Sequence, residues 1–266
     1  MPNLATLPMY QIDAFTSERF KGNPAAVCPL QSWLPDAALQ AIAMENNLSE
    51  TAFFVPGEKG GYELRWFTPV VEVDLCGHAT LASAHCLFQH LGYKRKHITF
   101  HSRSGLLTVT QEEGGYMLDF PADNIETVAA APRVLREALH IEPVEVLMGR
   151  EDFLFVLESE AEVAKLSPDF RLLKAVRCRG IIATAPGSTT DFVSRCFYPN
   201  AGIDEDPVTG SAHTTMTPYW AERLSKQELT ARQLSQRGGE LRCTMLGERV
   251  AISGQAVTYL KGEIFV

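Results

Sequence analysis

The chain has 266 residues, of which 45% are hydrophobic and 21% charged, a composition typical of a globular protein with one large domain or two smaller ones. Its formal net charge of −8 argues against a nucleic-acid-binding surface, which is usually basic. No apolar run approaches the roughly 20 residues of a membrane span. The opening residues 1–4 lack the basic start and apolar core of a signal peptide. We therefore predict a cytoplasmic protein without nucleic-acid or membrane partners.

The six cysteines are scattered along the chain, and none forms a C-x-x-C pair. We interpret them as reduced thiols that mainly pack in the core, not as a disulfide framework. No group of histidines and cysteines has the ligand spacing of a zinc site, so we predict no metal. The motifs of nucleotide-binding proteins, zinc proteases and serine esterases are also missing from the sequence.

The first half of the chain reads as short strands interrupted by two helices. The patterns predict strands at 9–15, 25–28, 52–55, 62–67, 98–102, 106–111 and 116–120, a turn at 21–24, and helices at 35–46 and 78–91. The second of these helices is apolar on nearly every side, which is typical of a buried helix.

The second half repeats this scheme after a boundary at 121–124. A short helix is predicted from about 132, strands at 144–148, 153–157, 180–185 and 191–198, a helix at 209–224, and several strands from 230 to 266. Many short strands around one buried helix in each half indicate an α+β fold with antiparallel sheet.

Two short loops of small, polar and acidic residues lead directly into the two main helices. The first runs from Val73 to His78 and the second from Gly202 to Ser211. A helix N-terminus offers unpaired backbone N–H groups and is therefore a ready site for an anion. Two such entries in one chain predict one cleft built from two related halves.

Several side chains in the first half are candidates for chemistry. Glu50 stands between a helix end and an apolar strand, where desolvation would raise its pKa toward the range of a general acid or base. His78 is expected to be neutral at the helix entry, and Cys76 there could be a stabilised thiolate. The structural alternatives are an exposed glutamate, a capping histidine and a small buried cysteine. Asn23 is favoured as a turn residue.

The second helix entry carries an acidic cluster. Asp204, Glu205 and Asp206 are adjacent, so like charges would raise the pKa of at least one of them. The alternative is a solvated acidic group favoured by the helix dipole. Gly210 would let an anion approach the backbone closely, and Ser211 would add a hydroxyl donor.

Six segments together form a specific pattern. They are Asp-Ala-Phe at 13–15, Phe-Lys-Gly-Asn-Pro-Ala at 20–25, Asn-Leu-Ser-Glu-Thr-Ala-Phe at 47–53, Arg-Trp-Phe-Thr-Pro at 65–69, Asp-Leu-Cys-Gly-His-Ala-Thr at 74–80 and Glu-Asp-Pro-Val-Thr-Gly-Ser-Ala at 205–212. In content and order this set resembles the PhzF-like family, the phenazine-biosynthesis isomerases and their relatives. The segments span about three-quarters of the chain.

The resemblance implies a fold like that of diaminopimelate epimerase. In that fold two pseudo-symmetric domains each wrap antiparallel sheet around a central helix, and the active site lies in the cleft between them. We assign residues 1–120 with about 256–266 to the first domain and 121–255 to the second. The central helices should begin near His78 and Thr209. Relatives often form dimers, so a homodimer is a further expectation.

The resemblance also implies roles for individual residues. Glu50 matches the catalytic acid/base of the family, and His78 and Asp206 match its supporting catalytic residues. The positions expected to bind the substrate, with backbone N–H groups of the two glycines on its carboxylate, are Gly77, Gly210, Ser211, Asn23 and Cys76.

One departure from the related epimerases bears on the mechanism. Those enzymes and the proline racemases use two cysteines on opposite faces of the substrate carbon. Cys76 fills the first position, and we predict that Asp206 fills the second, which disfavours two-thiol racemisation. The expected activity is therefore a cofactor-independent isomerisation of a small carboxylate, with Glu50 moving a proton between two carbons. The resemblance suggests an aromatic-precursor dihydro acid as substrate.

Three other functions stay open at this point. One is a racemase or epimerase that uses Cys76 and a carboxylate as unlike bases. Another is a carboxylate-binding protein with a vestigial site. A thiol hydrolase built on Cys76 and His78 is the least favoured, because residues two apart at a helix start seldom face each other.

Overall fold

The computed structural model describes residues 6–57, 60–128 and 132–266, so the sequence prediction for residues 1–4 lies outside the described residues. Within this part of the chain there are six α-helices: α1 (Asp36–Asn46), α2 (Gly77–Gln89), α3 (Arg133–Leu139), α4 (Glu160–Lys165), α5 (Phe170–Leu173) and α6 (Gly210–Leu224). The longest, α6, has 15 residues. None of the helices in these ranges combines the length and apolar character needed to cross a bilayer.

The same ranges contain eighteen strands. They are β1 (Thr6–Ala14), β2 (Asn23–Pro29), β3 (Glu50–Pro56), β4 (Tyr62–Phe67), β5 (Glu72–Val73), β6 (His97–Ser102), β7 (Gly105–Glu112), β8 (Gly115–Pro121), β9 (Glu126–Thr127), β10 (Glu145–Met148), β11 (Asp152–Val156), β12 (Gly180–Pro186), β13 (Phe192–Tyr198), β14 (Ile203–Asp206), β15 (Glu228–Gln233), β16 (Gly239–Leu246), β17 (Arg249–Gly254) and β18 (Ala256–Phe265).

Backbone contacts divide the chain into two compact units. Unit 1 consists of the described residues up to Asp119 together with Ser253–Val266, and unit 2 is Phe120–Ile252. The last strand, β18, belongs to unit 1 because it pairs along its whole length with β1.

Unit 1 is a twisted sheet around the apolar helix α2. The pairs β1–β2, β3–β4 and β6–β7 are antiparallel, whereas β2–β3 and β4–β6 are parallel. Helix α2 packs against β1, β2, β3, β7 and β18, and all its residues from Gly77 to Leu87 are buried. On another side of the sheet, Leu39, Ile42 and Ala43 of α1 join Phe53 and neighbouring residues in a separate core cluster.

Unit 2 has the same organisation around α6. The pairs β10–β11, β12–β13 and β15–β16 are antiparallel, and β11–β12 and β13–β15 are parallel. Helix α6 contacts β11, β15 and β16, and Trp220 on it stacks on Phe192 of β13. A second core cluster, with Leu135, Phe155 and Leu173 among its members, lies beneath α3, α4 and α5.

The two units therefore repeat one order of elements. Strands β1 to β7 correspond to β10 to β16 with the same pairing directions, and α2 corresponds to α6. The correspondence extends to single residues at the helix entries. Glu72 and Gly77 in unit 1 lie 133 residues before Glu205 and Gly210 in unit 2.

The predicted α+β class is confirmed, and both central helices start within one residue of their predicted positions. The parallel pairs are an addition to the predicted antiparallel sheet. Each follows a chain segment that crosses over before the next strand, which is what parallel pairing requires. The predicted turn at 21–24 is wrong in its second half, because Asn23 and Pro24 open β2 and pair with Ala14 and Asp13.

The loop before β2 depends on Gly22. Its φ is +63°, and a Cβ there would lie 2.2 Å from the carbonyl oxygen of Ala14 and 2.6 Å from Cγ2 of Thr16. Asp13 holds the same loop by accepting a hydrogen bond from the backbone N–H of Phe20 at 2.9 Å. Gly22 thus lets the chain enter β2 with Asn23 buried.

Gly22→Ala is expected to lower the free energy of unfolding by about 3 kcal/mol, since left-handed backbone costs an alanine about 1–2 kcal/mol and steric overlap adds about 1–3. The matched control is Gly92→Ala, because Gly92 has a similar φ of +69° but no atom within 4 Å of its added Cβ. Urea unfolding of both variants measures the difference. Equal losses in the two variants would show that the overlap at Gly22 is relieved without cost.

Candidate active site

The entry to α2 is held in place by a partly buried arginine clamp. Arg65 on β4 binds both carboxylate oxygens of Glu72 on β5 at 2.7 Å, and its guanidinium lies over the ring of Phe67. The chain then continues to Cys76, which precedes the first helical residue, Gly77, in an extended conformation. No side chain caps the helix at Cys76, so the first backbone N–H groups of α2 have no capping acceptor from that residue.

Three side chains from three different elements meet at this entry. His78 on α2 lies with Nδ1 3.1 Å from Nδ2 of Asn23, at the start of β2. Its Nε2 lies 3.3 Å from Oε2 of Glu50, at the start of β3. Asn23 is fully buried, His78 is 3% exposed, and the Glu50 side chain is 13% exposed. The parallel pairing of β2 with β3 sets Ala25 beside Glu50 and so brings the two strand starts together.

This arrangement favours one tautomer of the neutral His78 ring. The amide nitrogen of Asn23 can only donate, so Nδ1 accepts and the proton of the neutral ring is on Nε2, facing Glu50. Burial lowers the pKa of His78 to about 3. The imidazole is therefore neutral, with the carboxylate of Glu50 beside it.

Cys76 also contacts this histidine. Its sulfur lies 3.5 Å from Nδ1 of His78, and the cysteine is 6% exposed. The expectation that two residues this close in sequence would not face each other is therefore wrong. Cys76 has an extended backbone just before the first helical turn, and its sulfur reaches the ring of His78 two residues later.

These side chains also form a group that could bind a metal ion. One ligand atom from each of Glu50, Cys76 and His78 lies within 4.8 Å of the others. Thiolate, imidazole and carboxylate are ligands that Zn²⁺ accepts. No local motif predicts this group, because Glu50 lies 26 residues before Cys76.

The loop that leads into α6 occupies the same position in unit 2 as the loop before α2 in unit 1, but it carries different side chains. Asp206 ends β14 and is 8% exposed, and its Oδ2 accepts a 2.6 Å hydrogen bond from Oγ1 of Thr209. Gln233, at the end of β15, accepts from the N–H of Thr209 at 2.9 Å and donates to the carbonyl of Asp206 at 2.7 Å. Gln233 is 1% exposed, and it clamps the loop that opens α6.

Comparison of the two units shows that Asp206 does not fill the second cysteine position, contrary to the prediction from the sequence. Counting 133 residues from the first helix entry, as at Glu72 and Glu205, the counterpart of Cys76 is Thr209. Both residues precede the first helical glycine in an extended conformation. Asp206 is three residues earlier and corresponds to Val73. The second helix start therefore bears a hydroxyl where the first bears a thiol.

The predicted acidic cluster is likewise divided among separate partners. Glu205 is bound by Arg195 through two hydrogen bonds of 2.7 and 2.8 Å, which repeats the Arg65–Glu72 clamp of unit 1. Asp204 lies 3.6 Å from the ammonium of Lys174, and Asp206 faces Thr209. The three carboxylates thus do not share one site.

The predicted site residues form two groups, one in each unit. Unit 1 brings together Glu50, His78, Cys76 and Asn23 beside Gly77. Unit 2 brings Asp206 to the helix start at Gly210, where Ser211 accepts a hydrogen bond from Arg179 at 3.4 Å. Sequence reasoning missed Gln233 and Arg179, because neither belongs to a local pattern and both reach the helix start from distant parts of the chain.

Comparison with known proteins identifies the family. The family model PhzC-PhzF, described as phenazine biosynthesis-like protein, matches residues 12–262 of this chain. The chain belongs to the PhzF family. Its relatives include an uncharacterized isomerase of Pseudomonas aeruginosa, 54% identical over 97% of this chain and 98% of the relative.

Solved structures support the same assignment for this PhzF-family protein. It is similar to a phenazine biosynthesis protein of the PhzF family from Enterococcus faecalis, with a TM-score of 0.94, 49% identity, and coverage of 98% of this chain and 100% of the other. A hydroxyproline epimerase from Agrobacterium vitis matches with a TM-score of 0.65 at 8% identity, covering 98% of this chain and 93% of the other. That second likeness is one of fold, and it confirms the epimerase-like fold predicted for this PhzF-family chain.

Proposed function

We propose that this chain is a cofactor-independent isomerase that moves a proton between two carbons of a small carboxylate. Membership of the PhzF family and the similarity to proteins named isomerases support the isomerase class. The observation that carries the finer proposal is the buried contact between Glu50 and the neutral ring of His78. It gives one side chain that can both remove and return a proton, beside a second that can hold it in position.

The proposed step begins with Glu50 as a carboxylate. It removes a proton from a carbon that a neighbouring unsaturated group makes acidic, and the electron pair shifts into the π-system. The Nε2–H of His78, held by Asn23 on the other side of the ring, supports the carboxylate and its conjugate acid. Glu50 then returns the proton to another carbon, so no proton is gained or lost overall.

The N-termini of α2 and α6 supply the proposed carboxylate contacts. The backbone N–H groups at Gly77 and Gly210 and the hydroxyl of Ser211 are donors at helix starts, where the helix dipole favours negative charge. Asp206 is the proposed second acidic group of the reaction, oriented by Thr209.

A second candidate is supported by one contact. The sulfur of Cys76 lies next to His78, so a racemase or epimerase could use that thiol with a carboxylate as the opposite base. The counterpart position in unit 2 holds Thr209, which excludes a matched pair of thiols at the two helix starts.

Proton transfer in D₂O separates these functions. The protein is incubated with a panel of cyclohexadiene and cyclohexene carboxylates, and ¹H NMR follows deuterium uptake and double-bond position. Isomerisation is expected, with deuterium at the new C–H position wherever the proton on Glu50 exchanges with solvent. Cys76→Ser should retain about a tenth or more of the wild-type rate, since general acid–base groups contribute about 10²–10⁴-fold and Cys76 is not proposed as one.

The other outcomes are equally specific. Loss of activity in Cys76→Ser, together with inversion at the carbon next to the carboxylate, would favour the racemase. Saturable binding of the panel with neither rearrangement nor exchange would indicate a carboxylate-binding protein with a vestigial site.

A further inference from the structure

Unit 2 contains a partly buried group of side chains that the proposed proton transfer does not use. Arg179, immediately before β12, binds Asp152 of β11 through Nε at 2.8 Å and through a second short contact from Nη2. Asp152 is 2% exposed. The guanidinium carbon lies 5.4 Å from the centre of the Tyr198 ring, and Nη2 also reaches Oγ of Ser211 at 3.4 Å.

The guanidinium of Arg179 is held firmly for this contact. Asp152 grips one edge of it, and Tyr198 supports its face. The ring of Tyr198 can lie there because the next residue is Gly180, where a Cβ would come within 2.2 Å of that ring. Burial disfavours the charged form, but the hydrogen bond to Asp152 and the electrostatic effects of Tyr198, Asp152 and Glu151 together outweigh it, so the pKa of Arg179 is raised and the cation persists.

This contact determines what Ser211 can do. A guanidinium has donors only, so Oγ of Ser211 accepts from Arg179. The hydroxyl proton of Ser211 is then available to donate to another acceptor. Ser211 is the second residue of α6, where backbone N–H groups of the first turn also face outward along the helix axis.

The internal repeat gives this group its significance. β12 begins at Gly180 as β3 begins at Glu50, and Ser211 is the counterpart of His78. In unit 1 these two positions hold the proposed proton-transfer pair, Glu50 and His78. In unit 2 the helix position holds the hydroxyl of Ser211, and Arg179 lies one residue before the strand. The same framework carries acid–base groups in one half and hydrogen-bond donors in the other.

We propose that Arg179 is a positioning residue for anion recognition: held by Asp152, it orients the Ser211 hydroxyl toward the carboxylate of the substrate at the start of α6. This inference rests on the proposed function, which makes the substrate a carboxylate. It extends that function by assigning the discrimination between a carboxylate and a neutral group to Arg179 and Asp152. A structural ion pair would stabilise unit 2 without creating this discrimination.

The test compares benzoate with its neutral analogue benzamide by isothermal titration calorimetry at pH 7. Wild type is expected to bind benzoate more tightly than benzamide. Arg179→Ala and Ser211→Ala should each weaken benzoate by about 10- to 100-fold, the size of a lost hydrogen bond to a charged group, and leave benzamide within about twofold. The double variant should be no weaker than the poorer single variant, because Arg179 acts through Ser211.

Two further variants make the test specific. Arg223→Ala is the matched control, since Arg223 is also in unit 2, lies over a tyrosine ring at 5.7 Å and faces Glu145 at 3.9 Å, but sits at the other end of α6. It should leave both affinities unchanged. Arg179→Lys keeps the charge but cannot grip Asp152 and reach Ser211 together, so benzoate binding should remain weak.

The proposal is overturned if Arg179→Ala binds benzoate as wild type does, if it weakens both ligands equally, or if wild type shows no preference for benzoate. Equilibrium binding needs no turnover, so such a failure would leave the role of Glu50 untouched. Conversely, an active Glu50→Gln variant would contradict the proposed proton transfer and leave the anion discrimination standing.

Discussion

Glu50→Gln is expected to reduce the isomerisation rate by about 10²- to 10⁴-fold, the usual contribution of a general acid or base. The amide has nearly the same shape as the carboxylate but cannot accept the substrate proton. Its buried surroundings, 3.3 Å from Nε2 of His78, should admit glutamine without loss of the fold. Binding of the substrate should change much less than turnover, so the loss should appear in kcat and not in KM.

The matched control is Glu63→Gln in the same unit. Glu63 accepts a 2.8 Å hydrogen bond from Nε1 of Trp33, and a glutamine oxygen can replace that acceptor. This variant should turn over at close to the wild-type rate. Rates are measured by ¹H NMR in D₂O, with thermal unfolding of each variant to establish folding. An unchanged rate in Glu50→Gln would remove Glu50 from the mechanism.

His85 and His213 together are expected to cost the protein about 4 kcal/mol of stability between pH 7 and pH 5, a loss to which the buried His78 adds. His85 is 7% exposed and His213 is fully buried. Burial lowers the pKa of each from the ordinary 6.5 to about 4, and neighbouring His90 adds to the effect at His85. The unfolded chain therefore binds more protons than the folded chain between these pKa values. Stability is full above about pH 6.5 and falls as the pH drops toward 4, by about 2 kcal/mol for each histidine at pH 5.

Urea unfolding at pH 7 and pH 5 measures this loss directly. His85→Asn and His213→Asn should each reduce the difference in unfolding free energy between the two pH values by about 2 kcal/mol, whatever either substitution does to stability at pH 7. His140→Asn is the control for the substitution itself, because His140 is exposed at the end of α3. Equal unfolding free energies at the two pH values would contradict buried neutral rings at 85 and 213.

The sequence predicts the main elements where a long regular pattern exists. The apolar run of α2 and the small residues that open α6 locate both central helices, and α6 continues through Pro218 as predicted. The helices α4 and α5 escape prediction because they have six and four residues, too few for a helical period to emerge. Pairing direction is equally hidden, since it depends on which strands meet and not on their own residues.

The site residues also differ in whether the sequence predicts them. Glu50 and His78 belong to short segments whose composition is distinctive, so the resemblance to a family singles them out. Asn23 reads locally as a turn residue, and only the β2–β3 pairing reveals its contact with His78. Arg179 and Ser211 are 32 residues apart, and no local pattern predicts that they touch.

The repeat of Cys76 and Thr209 has one more consequence, for how such a protein can change. A duplicated scaffold begins as two equal halves, and each half can then diverge through single substitutions. In this chain the two helix caps differ by a thiol against a hydroxyl, on backbones of the same conformation. Thr209→Cys alone would give both caps a thiol. In this duplicated architecture, one substitution is thus enough to make the two helix starts chemically alike or different, with no rearrangement of the fold.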